Sequence, residues 1–246
     1  MSSILFLSPH LDDVAFSCCA AMIQHFRQED EVRLVTIFTG NVEQPRGFAL
    51  ECQTSKNIAS DVDYMALRRE EDGEFCRVAG MKNASCWPIL EAPHRGYNSA
   101  PELFAGIKDG DEVWREIAGR LCELGEAERV YCPQGLGNHV DHLQAIRAAL
   151  TVFAPEKLWF YRDTPYAIRQ RDAAPSPLLP LNLDERCVAF DEVILQRKIK
   201  GCRAYQSQIG FQFGGADEVA RKLRAFHQEE AQHCGVRPFA ERFLTL

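Results

Sequence analysis

The sequence predicts an α/β fold, in which one mostly parallel β-sheet is covered by helices on both faces. Short apolar runs typical of buried strands alternate with longer segments of helical periodicity through most of the chain. The run VRLVTIF at residues 32–38 is β-branched and almost continuously apolar, as expected of a strand buried on both faces. At 246 residues, 46% of them hydrophobic, the chain has the size and composition of a single domain over residues 1–246.

The predicted elements follow one another along the chain as alternating strands and helices. The first strand, at residues 4–8, precedes a helix at 13–27 whose apolar residues lie on one face. A helix at 64–79 ends before Gly80, and glycine commonly follows the end of a helix. Further strands are expected at 85–90, 129–132 and 157–161, further helices at 111–124, 142–153, 184–206 and 217–233, and long loops at 41–63, 91–110 and 163–184. This order is typical of a Rossmann-like domain.

Composition and charge exclude several classes of function. A net charge of −7 and an isoelectric point near 5.6 give no basic surface for nucleic acid. No apolar run approaches the roughly 20 residues of a membrane-spanning helix, and the first residues lack the basic region of a signal peptide. The ten cysteines include no CxxC pair, so we expect reduced cysteines in a cytoplasmic protein and no cysteine-ligated zinc site.

Two polar clusters carry the candidate chemistry, and each follows a predicted strand. Ser8-Pro9-His10-Leu11-Asp12-Asp13 comes after the first strand, and His139-Val140-Asp141-His142 comes after the strand at 129–132 and a glycine-containing turn. Ligands of open α/β sheets bind outside the carboxyl ends of the strands, where both clusters would meet. Their imidazole and carboxylate groups offer the three ligands of a catalytic zinc site, and other divalent ions also accept such ligands.

Each cluster also has a simpler interpretation. Asp12 or Asp13 could cap the following helix, and His139 could bind a backbone group of its loop. The residue pattern alone leaves the choice between a metal site and these structural roles open. The metal site is favoured by one coincidence, because both clusters follow an apolar strand and both begin a helix.

At these residues the sequence resembles the LmbE/PIG-L family of zinc-dependent N-deacetylases, which includes N-acetylglucosaminyl deacetylases. The family's motifs are Pro/Ala-His-x-Asp-Asp-Glu near the N-terminus and a later His-x-Asp-His. The segment Leu67-Arg68-Arg69-Glu70-Glu71 also resembles the family's Arg-x-x-Glu helix. One residue departs from the pattern: Val14 stands where the family has Glu, which removes a polar group from the surroundings of the ligands. The resemblance implies an LmbE-like α/β fold.

The resemblance also implies roles for the matching residues. His10, Asp13 and His142 would bind Zn²⁺, or another divalent transition metal. Asp12 would be the general base, and His139 would face the substrate carbonyl.

The chemistry of amide hydrolysis suggests further hypotheses. Asp12 would take a proton from the attacking water and later pass it to the leaving nitrogen. A protonated His139 would stabilise the oxyanion that forms on the carbonyl. Asp141 would either hold that imidazole in place or cap the helix that follows.

We therefore expect a zinc-dependent hydrolase that removes an N-acetyl or other N-acyl group from an amino sugar or its conjugate. This small molecule would be contacted by Arg68 or its neighbour Arg69, and by Arg162 on a later loop. The alternatives are an amidase acting on a thiol conjugate or natural-product intermediate, a non-catalytic sugar-binding protein, and a two-metal phosphoesterase, which would need more bridging carboxylates. The sequence leaves a homo-oligomer open.

Overall fold

A seven-stranded β-sheet forms the centre of the protein. The computed structural model describes residues 1–246. The strands are β1 (Ser3–Ser8), β2 (Glu31–Thr36), β3 (Ser85–Cys86), β4 (Arg129–Pro133), β5 (Leu158–Tyr161), β6 (Asp184–Phe190) and β7 (Phe239–Thr245). They lie in the order β3-β2-β1-β4-β5-β7-β6, in which β1 to β5 pair in parallel and β7 runs antiparallel to β5 and β6. The predicted α/β fold with a mostly parallel sheet is confirmed.

Helices cover both faces of this sheet. Along β1, Ile4 and Phe6 belong to a core of 32 buried residues on one face, whereas Leu5 and Leu7 belong to a core of 22 on the other. Successive strand side chains point to opposite faces, so β1 is buried on both. None of the helices is long and apolar enough to cross a membrane. They are α1 (Asp13–Ser17), α2 (Cys19–Arg27), α3 (Gly47–Thr54), α4 (Tyr64–Ala79), α5 (Ala100–Leu103), α6 (Val113–Glu123), α7 (Val140–Val152), α8 (Tyr166–Arg169), α9 (Glu192–Cys202), α10 (Gln206–Phe213) and α11 (Ala216–His233).

The strand order reverses between β1 and β4. From β1 the chain adds β2 and β3 on one side of the sheet, and it then returns to place β4 on the other side of β1. Such a reversal opens a crevice at the carboxyl ends of the two strands. The turn after β1 begins at Pro9 and the turn after β4 begins at Gln134, so both polar clusters emerge beside this crevice.

One predicted helix in the C-terminal part is wrong. The pattern predicts a helix over 184–206, but the structure has β6 in its first third and α9 after it. All of β6 pairs with β7, a strand that the sequence analysis does not assign. Asp191 then begins α9, since its carboxylate accepts a 2.8 Å hydrogen bond from the Ile194 N–H. The strand depends on a partner far along the chain, which local periodicity does not report.

Other elements differ in extent rather than in kind. The helix expected at 13–27 is broken at Cys18 into α1 and α2. The loops expected at 41–63 and 91–110 contain the short helices α3 and α5. The strand expected at 85–90 is only two residues long, because only Ser85 and Cys86 pair with β2.

A disulfide links the edge of the sheet to the last helix. Cys187 of β6 is bonded to Cys234, which follows α11, with a Cα–Cα distance of 6.1 Å. The expectation that all ten cysteines are reduced is therefore wrong for this pair, and the other eight are free. The two residues lie 47 positions apart in the sequence, and only the packing of α11 against β7 brings them together.

A buried ion pair fills the break between α1 and α2. The carboxylate of Glu241, on β7, accepts hydrogen bonds from the N–H groups of Ala20 and Ala21 at 2.9 and 2.8 Å. The same carboxylate lies 2.7 Å from Nζ of Lys198, a fully buried residue of α9. The free N–H groups and the dipole of a helix N-terminus both stabilise a carboxylate. Glu241 therefore joins β7, α2 and α9.

We expect Glu241→Leu to lower the free energy of unfolding by roughly 3–5 kcal/mol, because it leaves the buried Lys198 ammonium without a partner. Lys198→Met should cost less, since the Glu241 carboxylate keeps its two helix N–H donors. Urea unfolding of both variants measures the difference, with the exposed Glu218→Leu as the control. Equal losses in the two buried variants would contradict this account.

Candidate functional site

The two polar clusters meet at the carboxyl edge of the sheet. His10 and Asp13 come from the turn after β1, and His142 comes from the first turn of α7, after β4. Their ligand atoms all lie within 4.8 Å of one another. Oδ2 of Asp13 lies 3.2 Å from Nδ1 of His10 and 3.3 Å from Nε2 of His142. The structure therefore brings together the three residues that the sequence analysis expected as metal ligands.

Two further carboxylates orient the imidazoles of this group. Nε2 of His10 lies 3.0 Å from Oδ2 of Asp141, and Nδ1 of His142 lies 2.5 Å from Oδ1 of Asp163. The remaining ring nitrogen of each histidine then faces Asp13. Metal-binding histidines commonly use their second nitrogen in this way, which fixes the ring and the tautomer. Two oriented imidazoles and a carboxylate fit a divalent transition metal.

A second group of ligand atoms, from His10, His139 and Asp141, also lies within 4.8 Å. Its carboxylate is already engaged, because Arg95 lies 2.9 Å from Oδ1 of Asp141 and the Ala92 N–H donates to Oδ2 at 3.1 Å. The charge of Asp141 is balanced by the arginine. The group formed by His10, Asp13 and His142 therefore fits a cation better.

The pKa values of His10 and Asp13 reflect the close packing of the candidate ligands. Burial alone would lower the pKa of His10, but hydrogen bonds and charges from Asp13 and Asp141 outweigh it and raise this pKa to about 9. Burial alone would raise the pKa of Asp13, but His142 and His10 hold it well below its usual range. Asp13 therefore stays ionised between two imidazoles, as a ligand carboxylate must.

The expected roles of His139 and Asp141 need correction. Asp141 does not hold the imidazole of His139; its side chain contacts His10 and Arg95, because the first turn of α7 points it into the crevice. Asp141 does not cap the helix either. His139 is the cap, and its Nδ1 accepts a 3.2 Å hydrogen bond from the Asp141 N–H.

This capping hydrogen bond determines which ring nitrogen of His139 carries the proton. Because Nδ1 accepts a hydrogen bond, the ring proton must lie on Nε2. Burial, together with the charge of His10, lowers the pKa of His139 to about 3. The imidazole is therefore a neutral Nε2–H donor rather than the imidazolium that the oxyanion hypothesis considered.

Asp12 lies next to the ligand group without belonging to it. It is buried and makes no capping hydrogen bond to α1, so the capping interpretation is wrong for this residue. Burial raises the pKa of Asp12 to about 6, against the opposing charge of Arg68. Nη2 of Arg68 lies 3.5 Å from Oδ1 of Asp12, and Nη1 donates to Glu91 at 2.6 Å.

A cavity of about 380 Å³ opens above these residues. Charged and polar side chains line it together with aromatic and apolar ones. Phe104 and Phe211 are 39% and 57% exposed, so they present apolar surface at the mouth. The lining residues are His10, Asp12, Asp13, Phe16, Phe48, Glu51, Cys52, Ser55, Lys56, Tyr64, Arg68, Glu91, Pro93, Ala100, Leu103, Phe104, His139, Asp141, Thr164, Pro165, Tyr166, Gln208, Phe211 and Gln212.

Two of the three expected substrate-contacting arginines do not line this cavity. Arg68 lines it, but Nη1 of Arg69 donates to the Thr39 carbonyl at 2.9 Å. Neighbouring residues of a helix point in different directions, so only one of the two arginines can face the cavity. Nη2 of Arg162 donates to the Arg171 carbonyl at 2.9 Å. The structure therefore places Arg68 at this cavity, and Arg69 and Arg162 away from it.

Comparison with known proteins identifies the family. The chain is 33% identical over 214 residues to 2'-N-acetylparomamine deacetylase of Streptomyces fradiae, an alignment that covers 83% of this chain and 72% of that protein. Residues 5–153 match the family described as "PIG-L: GlcNAc-PI de-N-acetylase". The chain belongs to the PIG-L family. The resemblance inferred from the motifs is confirmed, and so is the enzyme class, a hydrolase of N-acetyl amide bonds.

Solved structures share the fold of this PIG-L member. The zinc-inhibited form of teicoplanin deacetylase superimposes with a TM-score of 0.80 at 20% identity, covering 98% of this chain and 96% of that chain. N,N'-diacetylchitobiose deacetylase from Pyrococcus horikoshii gives a TM-score of 0.62 at 17% identity, covering 98% and 82%. At these identities the likeness concerns the fold alone.

The departure at Val14 does not remove a partner of the ligands. The Val14 side chain lies in the apolar core, and its N–H donates to Oγ of Ser8 at 3.2 Å. The imidazoles of this PIG-L member receive their carboxylate partners from other elements, Asp141 of α7 and Asp163 after β5.

Three residues of the site make contacts that the sequence did not predict. Asp163 follows the carboxyl end of β5, so the rule that placed the two polar clusters would also have indicated this residue. Glu91 lies in the segment at 91–110, where no periodic pattern reports its contact with Arg68. Arg95 lies in the same segment and holds Asp141.

We expect Arg95→Met to weaken the binding of a divalent metal by about 10–100-fold, because Asp141 would lose the cation that holds it against His10. Arg95 is itself held by two contacts with Asp111, at 3.3 and 3.1 Å. Competition with a chromogenic chelator measures the affinity, with the exposed Arg120→Met as a matched control. An unchanged affinity in Arg95→Met would exclude this positioning role.

Proposed function

We propose that this PIG-L member is a zinc-dependent deacetylase that removes an N-acetyl group from an amino sugar or a sugar conjugate. The observation that carries the proposal is the position of Asp12, a buried carboxylate beside the His10, Asp13 and His142 group and facing the same cavity. The relative from Streptomyces fradiae is named for an N-acetylated amino sugar, which supports the substrate class.

His10, Asp13 and His142 would hold the metal, and Asp141 and Asp163 would orient its two histidines. When bound, Zn²⁺ supplies Lewis acidity toward water and the amide carbonyl. Three protein ligands leave a coordination position open, as catalytic zinc sites require.

The chain's own groups divide the proton transfers. Asp12 accepts a proton from the attacking water and delivers it to the amide nitrogen, so that the amine leaves in neutral form. The Nε2–H of His139 donates to the carbonyl oxygen as negative charge develops there, and a neutral imidazole can serve as such a donor. Arg68, held by Glu91, limits the rise in the pKa of Asp12 that burial causes.

The natural-product alternative becomes a choice of substrate within this proposal, because paromamine is itself an amino sugar conjugate in name and chemistry. Nothing in the cavity favours a thiol conjugate. A two-metal phosphoesterase lacks support, since the second ligand group has its carboxylate paired with Arg95.

The first test is turnover of a panel of acylated amines by the zinc-loaded protein. We expect amine and acetate from N-acetylglucosamine glycosides or an N-acetylated aminoglycoside fragment, loss of release after chelation, and recovery with zinc. N-acetylcysteine serves as the comparison without a sugar. The proposal is refuted if the loaded protein releases no amine from any of the N-acetyl sugars.

Two variants distinguish the role of the general base from that of a metal ligand. Asp12→Asn should retain zinc but lose about 10²–10⁴-fold in kcat, because the carboxylate that accepts the proton is gone. His142→Ala should lose zinc as well as activity, since it removes a ligand. Elemental analysis and amine release are measured on the same preparations. Full activity in zinc-loaded Asp12→Asn would contradict the base assignment, and normal zinc content in His142→Ala would contradict the ligand assignment.

A further inference from the structure

Tyr64 and Gln208 form a polar pair on one wall of the cavity. Helices α4 and α10 build this wall, and the candidate metal ligands lie elsewhere. Tyr64 is the first residue of α4, and Gln208 lies in the first turn of α10. Both line the cavity, and Gln208 is only 2% exposed. Neither residue is used by the proposed reaction.

Hydrogen bonds fix the orientation of the Gln208 amide. Its Nε2 donates to the Tyr64 hydroxyl at 2.9 Å and to Oγ of Ser207 at 2.8 Å. The Ser207 hydroxyl in turn donates to Oε2 of Glu71 at 2.6 Å, and the Ser207 N–H donates to Oε1 at 2.7 Å. Because a carboxylate binds the Ser207 proton, Oγ must accept from Gln208, and an amide flipped by 180° would lose this bond to Ser207.

This orientation leaves one acceptor and one donor without protein partners. Both Nε2 protons of Gln208 are used, while its Oε1 accepts no hydrogen bond from the protein. The Tyr64 oxygen accepts from Gln208, and its own proton is donated to no protein acceptor. Both residues line the cavity, so a bound ligand can supply the partners that the protein does not.

We propose that Tyr64 and Gln208 form a subsite for a hydroxyl group of the sugar, with Tyr64 donating to that hydroxyl and Gln208 Oε1 accepting from it. The inference rests on the proposed function and specifies how the substrate is recognised. A hydroxyl both donates and accepts, so it satisfies the two free groups at once.

The charges around the pair select a neutral group. The Arg68 guanidinium and Nζ of Lys56 each lie 5.4 Å from the centroid of the Tyr64 ring. Glu91 and Asp12 pair with Arg68, so Lys56 is the cation that disfavours a substrate ammonium here. A substrate carboxylate cannot donate to Gln208 Oε1, which would then remain unpaired. A sugar hydroxyl avoids both penalties.

The test compares an N-acetylglucosamine methyl glycoside with each of its monodeoxy analogues. For the unmodified enzyme we expect one analogue to lose about five- to tenfold in kcat/KM, mainly through KM, because one neutral hydrogen-bonded group is missing. Tyr64→Phe and Gln208→Met should each lower the ratio for that analogue, since each variant removes one of the two partners of the hydroxyl.

Tyr166→Phe is the matched control, because it removes a hydroxyl from another part of the same cavity wall. It should keep the ratio between glycoside and analogue. The subsite is refuted if the unmodified enzyme discriminates against no analogue, or if the kcat/KM ratio between glycoside and analogue is unchanged in Tyr64→Phe. It is also refuted if this ratio falls equally in Tyr166→Phe. Failure of the unmodified enzyme to deacetylate the parent glycosides and all N-acetyl sugars would instead overturn the proposed function, and the subsite with it.

Discussion

The parallel pairing of β4 beside β1 is the constraint on which the rest of the site depends. The register Ile4↔Arg129 to Phe6↔Tyr131 places the ends of both strands at one edge of the sheet. Two turns that lie about 130 residues apart in the chain then face each other, and their side chains form one ligand group. Because both strands are buried on both faces, the turns can shift little relative to each other.

Several buried carboxylates lie at this edge of the sheet, and their negative charges need partners of opposite charge or hydrogen-bond donors. Asp12, Asp13, Asp141 and Asp163 are all buried there, and each has a cationic or imidazole neighbour. The arginines come from loops and helices outside the two motifs, and they hold the carboxylates without occupying the ligand positions. The site is therefore a network of paired charges around Asp13, the carboxylate that the imidazoles of His10 and His142 both face.

The charged groups of the site and the neutral groups proposed to bind the sugar lie on different parts of the cavity. The edge of the sheet carries the charged groups of the candidate site, whereas Tyr64 and Gln208 on the wall formed by α4 and α10 are neutral and have a fixed hydrogen-bond polarity. Glu71 links the two regions, since α4 also provides Arg68. A change in substrate can thus be made on this wall while the chemistry at the edge of the sheet is preserved.

The sequence by itself determined the alternating α/β pattern, because strands and helices follow from local apolar runs, and its resemblance to the LmbE/PIG-L family pointed to His10, Asp13 and His142 as candidate ligands. It did not determine β6, Asp163, Glu91 or Arg95, whose roles depend on contacts between distant segments. It also did not decide which arginines face the cavity, which nitrogen of His139 carries the proton or which groups Asp141 contacts. These are questions of side-chain direction and hydrogen-bond polarity, and only the packed structure decides them, since neighbouring residues of one helix or turn point to different surroundings.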